Sequence, residues 1–316
     1  MCGVRRDIVS TIEVRGLVKH YGKVEALRGV TFKIDKGITG LIGPNGAGKT
    51  TIIKIILGLV SADEGEATVF GLNCWKDRED ILERVGVLHE KPRFPTWVTG
   101  RKYLEYVCRM KRTSHVREEI ERAAELCGLG DFINRKIDTY SAGMIQRLGL
   151  ADALTGDPEV VILDEPTANL DPLGRSHVLS MIKYLTKGEG ISFLVSTHIL
   201  SELERICDSV VILNEGLVLE YGSVSQLVSR LSSPTYAVKV EDQEGFIRSI
   251  VSRVSAKIEM KEEFVIARPE DPQSFLNEVN DLVRRGVIVL RELKPLAPTL
   301  EDIFVEVMRR RSYAEE

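Results

Sequence analysis

The chain has 316 residues, which is enough for one large domain or two unequal ones. Hydrophobic residues make up 43% of the sequence, sufficient for a folded core, and 43 Lys and Arg against 47 Asp and Glu leave a net charge of -4. Because general nucleic-acid binding usually requires an excess of basic residues, this balance argues against a nucleic-acid partner.

The N-terminal sequence MCGVRRDIVS lacks the apolar stretch of a secretion signal. A membrane-spanning helix needs about 20 apolar residues. The longest candidate, residues 52–60, is shorter and contains Lys54. We therefore expect a cytoplasmic chain that is soluble on its own and reaches a membrane only through a partner. The five cysteines form no Cys-x-x-Cys pair, so we expect neither a zinc site nor a disulfide framework, and scattered thiols suit a reducing compartment.

The first elements in chain order are mostly strands. Those predicted in this part of the chain are residues 12–15, 30–34, 38–42, 68–70 and 85–88. A helix is predicted from about residue 49 to residue 59. A glycine-rich loop joins the strand 38–42 to this helix, and strand, loop and helix in that order form the setting that a phosphate-binding loop requires.

The loop itself carries a specific pattern. Its sequence, Gly43-Pro44-Asn45-Gly46-Ala47-Gly48-Lys49-Thr50, fits G-x-x-x-x-G-K-[ST]. Glycines let the backbone wrap around a phosphate with its N–H groups pointing inward, and the helix N-terminus adds partial positive charge. We expect Lys49 to reach the β- and γ-phosphates and Thr50 to ligate Mg²⁺. The loop thus predicts a site for Mg²⁺ and a nucleoside triphosphate, which we take to be ATP; an ordinary glycine turn is the alternative.

The middle of the chain is first helical and then alternates between strands and a helix. Apolar residues recur at helical spacing between residues 99 and 153. Two continuous apolar strands follow at 160–163 and 191–196, separated by a helix at 173–186, and such runs suit a parallel sheet covered on both faces. Asn214-Glu215-Gly216 between two further strand patterns is a hairpin signal.

The composition changes after Leu231, where Ser232-Ser233-Pro234 is typical of a linker. Beyond it the predicted order is strand 235–241, helix 244–256, strands near 257–261 and 263–267, helix 272–285, strand 287–292 and helix 299–310. This βαββαβ order with a terminal helix is ferredoxin-like. We therefore expect an α/β domain over residues 1–231 and a small C-terminal α+β accessory domain over residues 232–316.

Polar residues follow both buried strands of the middle region. Val160-Val161-Ile162-Leu163 ends in Asp164, which can hold Mg²⁺, and Glu165, which can act as general base on the attacking water. The strand 191–196 leads to His198, at the carboxyl edge where open α/β sheets bind ligands, and we assign it to the γ-phosphate. Taken singly, such carboxylates are more often solvated loop residues, and a lone histidine is more often structural; the phosphate loop favours the functional interpretation.

These motifs, with Tyr140-Ser141-Ala142-Gly143-Met144-Ile145-Gln146-Arg147 between them, resemble the nucleotide-binding subunit of ABC transporters over about residues 10–230. The family signature is usually Leu-Ser-Gly-Gly-Gln; this chain keeps Ser141 and Gly143 and departs from it at Ala142 and Met144. The resemblance implies a P-loop cassette with a helical subdomain at about 99–153. It also implies ATP hydrolysis by a dimer, expected to be a homodimer, on a separate membrane permease.

The resemblance also implies roles for single residues. Ser141 and Gly143 would contact the ATP held by the other subunit, and Asp171, in Ala168-Asn169-Leu170-Asp171, would cross the dimer interface. Tyr21 matches the aromatic residue that stacks on adenine, and Thr51 belongs with the phosphate loop. Glu90 stands where the family usually has Gln and would face Mg²⁺ or water.

The tail Pro298-Thr299-Leu300-Glu301-Asp302-Ile303-Phe304 resembles the ending of subunits that serve exporter-type, ABC-2-like permeases. An N-capped helix that packs its apolar residues inward would have the same pattern. Two other functions stay open: an ABC-type ATPase in translation or DNA repair, and a nucleotide-gated binding module with little turnover. The single set of motifs and the lack of a long heptad run disfavour the first, and Glu165 with His198 disfavours the second.

Overall fold

A computed structural model describes residues 11–231, 234–296 and 299–314 of the chain. The chain divides into two compact units, Met1–Val224 and Ser225–Glu316. The N-terminal ten residues, Ser232 and Ser233 of the expected linker, and Pro298 of the tail lie outside the described residues. Among the described helices, none is both long and apolar enough to cross a membrane. The described cysteines, Cys74, Cys108, Cys127 and Cys207, are free thiols.

The first unit contains ten strands and seven helices among its described residues. The strands are β1 (Ile12–Tyr21), β2 (Val24–Ile34), β3 (Ile38–Ile42), β4 (Glu64–Val69), β5 (Leu72–Asn73), β6 (Val85–Leu88), β7 (Val160–Asp164), β8 (Ser192–Thr197), β9 (Ser209–Asn214) and β10 (Leu217–Ser223). The helices are α1 (Lys49–Ile56), α2 (Arg78–Leu82), α3 (Gly100–Met110), α4 (Val116–Leu126), α5 (Ala142–Leu154), α6 (Pro172–Glu189) and α7 (Leu200–Glu204).

Two sheets form the framework of this unit. An antiparallel sheet has the order β2-β1-β4-β5, and a six-stranded sheet has the order β10-β9-β3-β8-β7-β6. In the larger sheet all neighbours pair in parallel except β10, which pairs antiparallel with β9. The carboxyl ends of β3, β8, β7 and β6 therefore lie side by side at one edge. This arrangement confirms the predicted α/β fold and brings the motif-bearing loops together.

Burial explains why these segments form strands. Every residue of β3, β7 and β8 is buried, as expected for parallel strands covered on both faces. One apolar cluster joins residues of both sheets to helix α1, among them Phe32, Ile52, Ile56 and Val160. Burying a large apolar side chain contributes about 1.5–3 kcal/mol, so this cluster fixes α1 and the loop before it against the sheet.

Glycines account for two differences from the predicted boundaries. Gly16 interrupts the alternation of β1 without ending it: the pairing with β2 shifts register between Val14 and Leu17, and β1 continues to Tyr21. Helix α1 stops at Ile56, before the predicted end, and Gly58 then has a φ of 61°. A Cβ at Gly58 would lie 2.3 Å from the Cys74 carbonyl oxygen, so the chain turns where only glycine fits.

The helical segment consists of α3, α4 and α5, with two short 3-10 turns at Gly130–Asn134 and Ile137–Thr139. Leu104 and Cys108 of α3 and Ile120 and Ala124 of α4 are buried, as the helical spacing predicted. Helix α5 packs directly on β6: a Cβ at Gly86 would lie 1.9 Å from the Ala153 carbonyl oxygen. The C-terminal end of α5 is thereby held close to the start of β6.

The hairpin between β9 and β10 turns through Asn214-Glu215-Gly216, as its sequence predicted. Glu215 and Gly216 have positive φ angles of 47° and 77°. The Gly216 N–H donates to the Ala47 carbonyl oxygen at 3.1 Å, and the Arg28 N–H donates to the Gly216 carbonyl oxygen at 2.8 Å. The turn therefore connects β2 to the loop that follows β3.

The second unit is a four-stranded antiparallel sheet with helices. After α8 (Val224–Leu231), its elements are β11 (Thr235–Val240), α9 (Gln243–Val251), β12 (Ala256–Met260), β13 (Val265–Pro269), α10 (Pro272–Arg284), β14 (Leu290–Leu296) and α11 (Leu300–Ala314). The sheet order β12-β13-β11-β14 is that of the ferredoxin-like fold. Its core contains Val238, Phe246, Phe275 and Val279. The domain boundary expected after Leu231 falls at the end of α8, whereas the compact unit begins at Ser225.

Candidate nucleotide site

The loop after β3 is shaped by glycines. A Cβ at Gly43 would lie 2.5 Å from the Leu213 carbonyl oxygen, and one at Gly48 would lie 2.8 Å from Leu27 Cδ2. Gly46 and Gly48 also have positive φ angles, 82° and 105°. Side chains at these positions would clash or be strained, so the tight path of the loop depends on its glycines.

Lys49 is the first residue of α1 and its side chain folds back over the loop. Its ammonium Nζ donates to the carbonyl oxygens of Gly43 at 2.5 Å and Pro44 at 3.1 Å. Burial lowers the pKa of Lys49, and the negative charges of Glu165 and Asp164 oppose this by raising it. A partly buried cation held on neutral carbonyls is ready to exchange them for phosphate oxygens, which bind it more strongly.

Asp164 is the last residue of β7 and is buried. One carboxylate oxygen accepts a hydrogen bond of 2.6 Å from the Ser196 hydroxyl of the neighbouring strand β8. Burial raises the pKa of Asp164, the Ser196 hydrogen bond lowers it, and the charges of Glu165 and Glu90 raise it further. Concentrated negative charge at a desolvated strand end is the environment in which a divalent cation binds favourably.

Glu165 is held at both its backbone and its side chain. Its N–H donates to the Ser196 carbonyl oxygen at 2.9 Å, and its φ of 52° lies in the left-handed region that is unfavourable for residues other than glycine. Its carboxylate contacts the end of β8, with Thr197 Oγ1 donating at 3.3 Å and His198 Nδ1 at 2.9 Å. Because β7 and β8 are adjacent, two residues that are 33 positions apart form a carboxylate–imidazole pair.

These side chains surround one cavity of about 450 Å³, within the usual range for small-molecule sites. Its lining residues are Ala26, Asn45, Gly46, Ala47, Gly48, Lys49, Thr50, Thr51, Glu90, Asp164, Glu165, Ala168 and His198. The cavity thus brings together the loop residues from Asn45 to Thr51 with the expected polar residues Glu90, Asp164, Glu165 and His198. Gly43 and Pro44 lie beneath it as hydrogen-bond acceptors for Lys49.

Besides Gly43 and Pro44, four expected site residues do not line this cavity. Ser141 is exposed and caps α5, where its hydroxyl accepts from the Met144 N–H at 3.3 Å, and Gly143 follows in the first turn. Asp171 is exposed and caps α6 by accepting from the Gly174 N–H at 2.9 Å. Tyr21 ends β1 with its ring 46% exposed and the Lys19 ammonium 5.8 Å from the ring centroid. The adenine contact of Tyr21 therefore stays a prediction, as does the expectation that Ser141, Gly143 and Asp171 serve a two-chain site.

The residues present suit a Mg²⁺–ATP complex. The glycine loop has no room for a side chain at Gly43 or Gly48, and the Lys49 ammonium already lies over the loop. Such a loop can bind a polyphosphate through its backbone N–H groups and this ammonium. Thr50 and Asp164 supply the hard oxygen ligands that Mg²⁺ prefers, beside water and phosphate.

Sequence reasoning missed some residues around the site. Ala26 and Ala168 line the cavity, and nothing in their residue type marks them. Gln146 was quoted within the signature segment without a role, and its buried side-chain amide donates to the carbonyl oxygens of Glu165 and Pro166. A polar residue at helical spacing with buried Gly149 and Ala153 was the available signal for Gln146.

Comparisons with known proteins agree with this geometry. The family model described as "ABC transporter" matches residues 27–168. The uncharacterized ABC transporter ATP-binding protein YhcH of Bacillus subtilis (strain 168) is 33% identical over 307 residues, covering 94% of this chain and 96% of that protein. The bacitracin transport ATP-binding protein BcrA of Bacillus licheniformis is 33% identical over 306 residues, covering 94% and 97%.

A solved structure has the same fold. It is the dimeric post-hydrolysis state of the ATP-binding cassette MJ0796 bound to ADP and Pi, with a TM-score of 0.63 and 22% identity. The match covers 67% of this chain and 98% of that one. From the near full-length similarity to such relatives, together with the phosphate loop and its paired carboxylates, it follows that the chain belongs to the family of ABC transporter ATP-binding proteins.

Proposed function

We propose that this ATPase powers an exporter by acting as a dimer on a separate membrane permease, which holds it at the cytoplasmic face of the membrane. The observation that carries the proposal is the convergence of the phosphate loop, Asp164, Glu165 and His198 on one cavity at the carboxyl edge of the parallel sheet. Export as the direction is supported by the resemblance of the tail around residues 299–304 to subunits of exporter-type permeases. A relative described as a bacitracin transport protein supports a transport role.

Binding of Mg²⁺–ATP follows from the charges of the cavity. The backbone from Gly43 to Gly48 and the Lys49 ammonium receive the phosphates, and Tyr21 offers its exposed ring to adenine. Thr50 and Asp164 would hold Mg²⁺, and the metal would supply positive charge to the phosphate oxygens. Glu90 lines the same cavity after β6, and its charge acts on Asp164, so it faces the metal or its water.

Hydrolysis requires a base beside the γ-phosphate. Glu165 accepts the proton of the attacking water, and the strained backbone of Glu165 together with the Thr197 hydroxyl fixes its direction. His198 shares a hydrogen bond with the Glu165 carboxylate and lines the cavity, so it can turn its ring toward the γ-phosphate. Glu165 follows β7 and His198 follows the adjacent strand β8, so the sheet fixes the distance between them.

The second half of each site comes from another chain. Ser141, Gly143 and Asp171 lie at the N-termini of α5 and α6, where uncapped N–H groups favour an anion. The exposure of Ser141 and Asp171 suits contact with a second cassette. A related fold has been solved as a dimer with ADP and Pi. We expect a homodimer.

The test separates binding from hydrolysis. Lys49→Ala should weaken ATP binding by about tenfold to a hundredfold, because charge-assisted hydrogen bonds to phosphate are lost. Glu165→Gln should bind ATP normally and hydrolyse it about 10²- to 10⁴-fold more slowly, because the amide cannot accept a proton. Binding is measured by equilibrium titration and hydrolysis by single-turnover phosphate release. Single-turnover hydrolysis near the wild-type rate in Glu165→Gln would overturn the general-base assignment.

A further inference from the structure

The buried amide of Gln146 contacts the peptide of the general base. Gln146 is 1% exposed, and its Nε2 donates to the carbonyl oxygens of Glu165 and Pro166, both at 3.2 Å. Two carbonyl acceptors require the NH₂ end of the amide to face them, so both of its N–H donors are used at this one place. Losing this donor would be costly at the buried Pro166 carbonyl, because a buried acceptor without a hydrogen bond loses its solvation without compensation.

The peptide that Gln146 holds is under strain. Glu165 has a φ of 52°, and Asn169, four residues later, has a φ of 61°. Non-glycine residues keep such angles only where surrounding contacts impose them. The Glu165 N–H is held by the Ser196 carbonyl of β8 at 2.9 Å, whereas its carbonyl oxygen is held by Gln146 of α5 and by the Ala168 N–H at 3.1 Å. Helix α5 therefore contributes one of the contacts that set the direction of the Glu165 side chain.

The same helix begins with the residues assigned to the opposite nucleotide. Ser141 caps α5 and Gln146 follows five residues later, about 7.5 Å along the helix axis. A helical segment of less than two turns thus connects Ser141, which we assign to the nucleotide of the second chain, to the backbone of Glu165 in its own chain. Gly149 lets α5 pack closely on Leu88 of β6, so Gln146 is held within hydrogen-bond distance of the Glu165 peptide.

We propose that Gln146 is a positioning residue: it holds the strained Glu165 peptide and so makes the general base in one chain responsive to engagement of Ser141 by the nucleotide of the other. The inference rests on the proposed two-chain site. Gln146 does not line the cavity and acts through the Glu165 backbone. The active site of each chain is in this way sensitive to whether its α5 has closed on the opposite nucleotide.

The test compares two hydrogen-bond losses on one helix in the full-length protein. Gln146→Met keeps the length and volume of the side chain but removes both donors. Thr155→Val, at the other end of α5, removes the buried hydroxyl that donates to the Asp152 carbonyl oxygen at 2.8 Å. We expect kcat to fall about tenfold to a hundredfold in Gln146→Met, since small misplacement of a reacting group has effects of this size. KM for ATP should stay within about twofold, since the substituted side chain does not touch nucleotide. Thr155→Val should lower the Tm to a similar extent with kcat unchanged.

Two further variants test the positioning role and the connection to Ser141. Gln146→His should regain part of the kcat, because imidazole Nε2 has a reach similar to that of the amide and can donate one hydrogen bond. In a cycle with Ser141→Ala, the kcat of the double variant should match that of the more severe single variant, because both changes break one connection. An unchanged kcat in Gln146→Met, an equal fall in Thr155→Val, or strictly multiplicative losses in the cycle would overturn the inference.

The controls keep this inference apart from the proposed function. If wild-type protein dimerises with ATP and hydrolyses it while Gln146→Met does so equally well, only the role of Gln146 is refuted. If wild-type protein stays monomeric with ATP in sedimentation, the two-chain site itself is refuted. If Gln146→Met does not fold, Gln146→His decides instead, measured alone and in the cycle with Ser141→Ala.

Discussion

Asp63 illustrates how one exposed carboxylate can organise the strand end that carries Tyr21. It accepts hydrogen bonds from the Lys19 ammonium and from the His20 N–H, both at 2.6 Å, and its own N–H donates to the Val18 carbonyl oxygen at 2.9 Å. The hydrogen bonds from Lys19 and His20 lower the pKa of Asp63 to about 2. The connection after α1 is thus tied to β1 directly before the proposed adenine contact.

The depressed pKa of Asp63 predicts a specific pH dependence of stability. The carboxylate titrates near pH 3.9 in the unfolded chain and near 2 in the folded one, so its contribution is complete above about pH 4 and is lost as the pH falls toward 2. Asp63→Asn should therefore lower the Tm at pH 5, and the difference from wild type should shrink below pH 4. Asp35→Asn, which loses only an exposed ion pair of 3.7 Å to Lys33, is the control and should change the Tm little at any pH. A wild-type–variant difference that does not depend on pH would contradict the prediction.

The loop before α3 contains two aromatic residues with different surroundings, one packed against the helical segment and one exposed. Phe94, in the loop after Glu90, packs edge-on against Tyr103 of α3 with ring centroids 4.8 Å apart, and the Tyr103 hydroxyl donates to Asp152 of α5 at 2.6 Å. Trp97 in the same loop is 75% exposed. Phe94 thus belongs to the packing of the segment, and Trp97 belongs to the surface that we expect to meet the permease.

Trp97→Ala should uncouple the two activities. We expect substrate export and association with permease-containing membranes to fall several-fold, while basal ATPase stays unchanged and stability changes by less than about 0.5 kcal/mol, as for other exposed residues. Trp75→Ala removes another exposed tryptophan, 56% exposed, from the same unit and should leave all three unchanged. The measurements are export from cells, co-sedimentation with their membranes, and ATPase of the purified chain. Loss of basal ATPase and stability together in Trp97→Ala would show that Trp97 has a packing role instead.

Phe94→Ala has a different expected outcome. It removes an aromatic pair worth about 0.5–1.5 kcal/mol in addition to buried apolar area, so it should lower the Tm. The sequence pattern alone does not separate Phe94 from Trp97, because both are apolar residues in one proline-containing loop. Only their contacts separate them, and those contacts depend on where α3 lies.

The order of the elements could be predicted because the apolar runs, the helical spacing and the glycine turns of the sequence indicate the same elements. Continuous apolar runs identified β7 and β8, and the glycine loop between strand and helix identified the phosphate site. Element ends were less predictable: the strand expected at residues 287–292 forms at Leu290–Leu296, since Val287 closes the turn after α10 by donating to the Leu282 carbonyl oxygen. β-branched residues indicate a strand but not whether the chain there is still turning.

The assembly of the site was predictable in part. Parallel strands bring their carboxyl ends to one edge, which is why Glu165 and His198 could be expected near the phosphate loop. The contact of Gln146 with the Glu165 peptide could not, because it depends on how closely α5 approaches the sheet. That approach is set by Gly86 and Gly149, which are remote in sequence from Glu165 and carry no signal of their own for the site.

For the whole molecule, the division into two units predicts what can be removed. Every residue of the cavity precedes residue 199, and the first unit has its own apolar core. A chain ending at Leu231 should therefore bind ATP with an affinity within about twofold of the full chain. Equilibrium titration of both lengths checks this, with Lys49→Ala in the shorter chain as the control with weakened binding. A shorter chain that folds, by its circular dichroism, but does not bind ATP would contradict the division.

Mixing two inactive chains tests whether each site belongs to two subunits. Lys49→Ala removes the phosphate loop cation, and Ser141→Arg places a bulky cation where the second chain should approach. Homodimers of either variant have two damaged sites, whereas a mixed dimer has one intact and one doubly damaged site. Random mixing would restore about a quarter of the sites in a symmetric dimer, so ATPase activity should rise above that of either parent. Sedimentation of wild-type protein as a monomer with ATP, with a rate per chain independent of protein concentration, would refute the two-chain site.

The position of β3 has a consequence for how the protein is made. This strand pairs on one side with β8 and on the other with β9, both synthesised more than a hundred residues later, and the turn at Gly216 then contacts the loop at Ala47. A chain emerging from the ribosome exposes its phosphate loop early but has no strands to support it. The ability to bind ATP is therefore acquired late in translation, and a nascent chain stalled before Gly216 has left the exit tunnel would present an apolar strand to chaperones instead of a finished site.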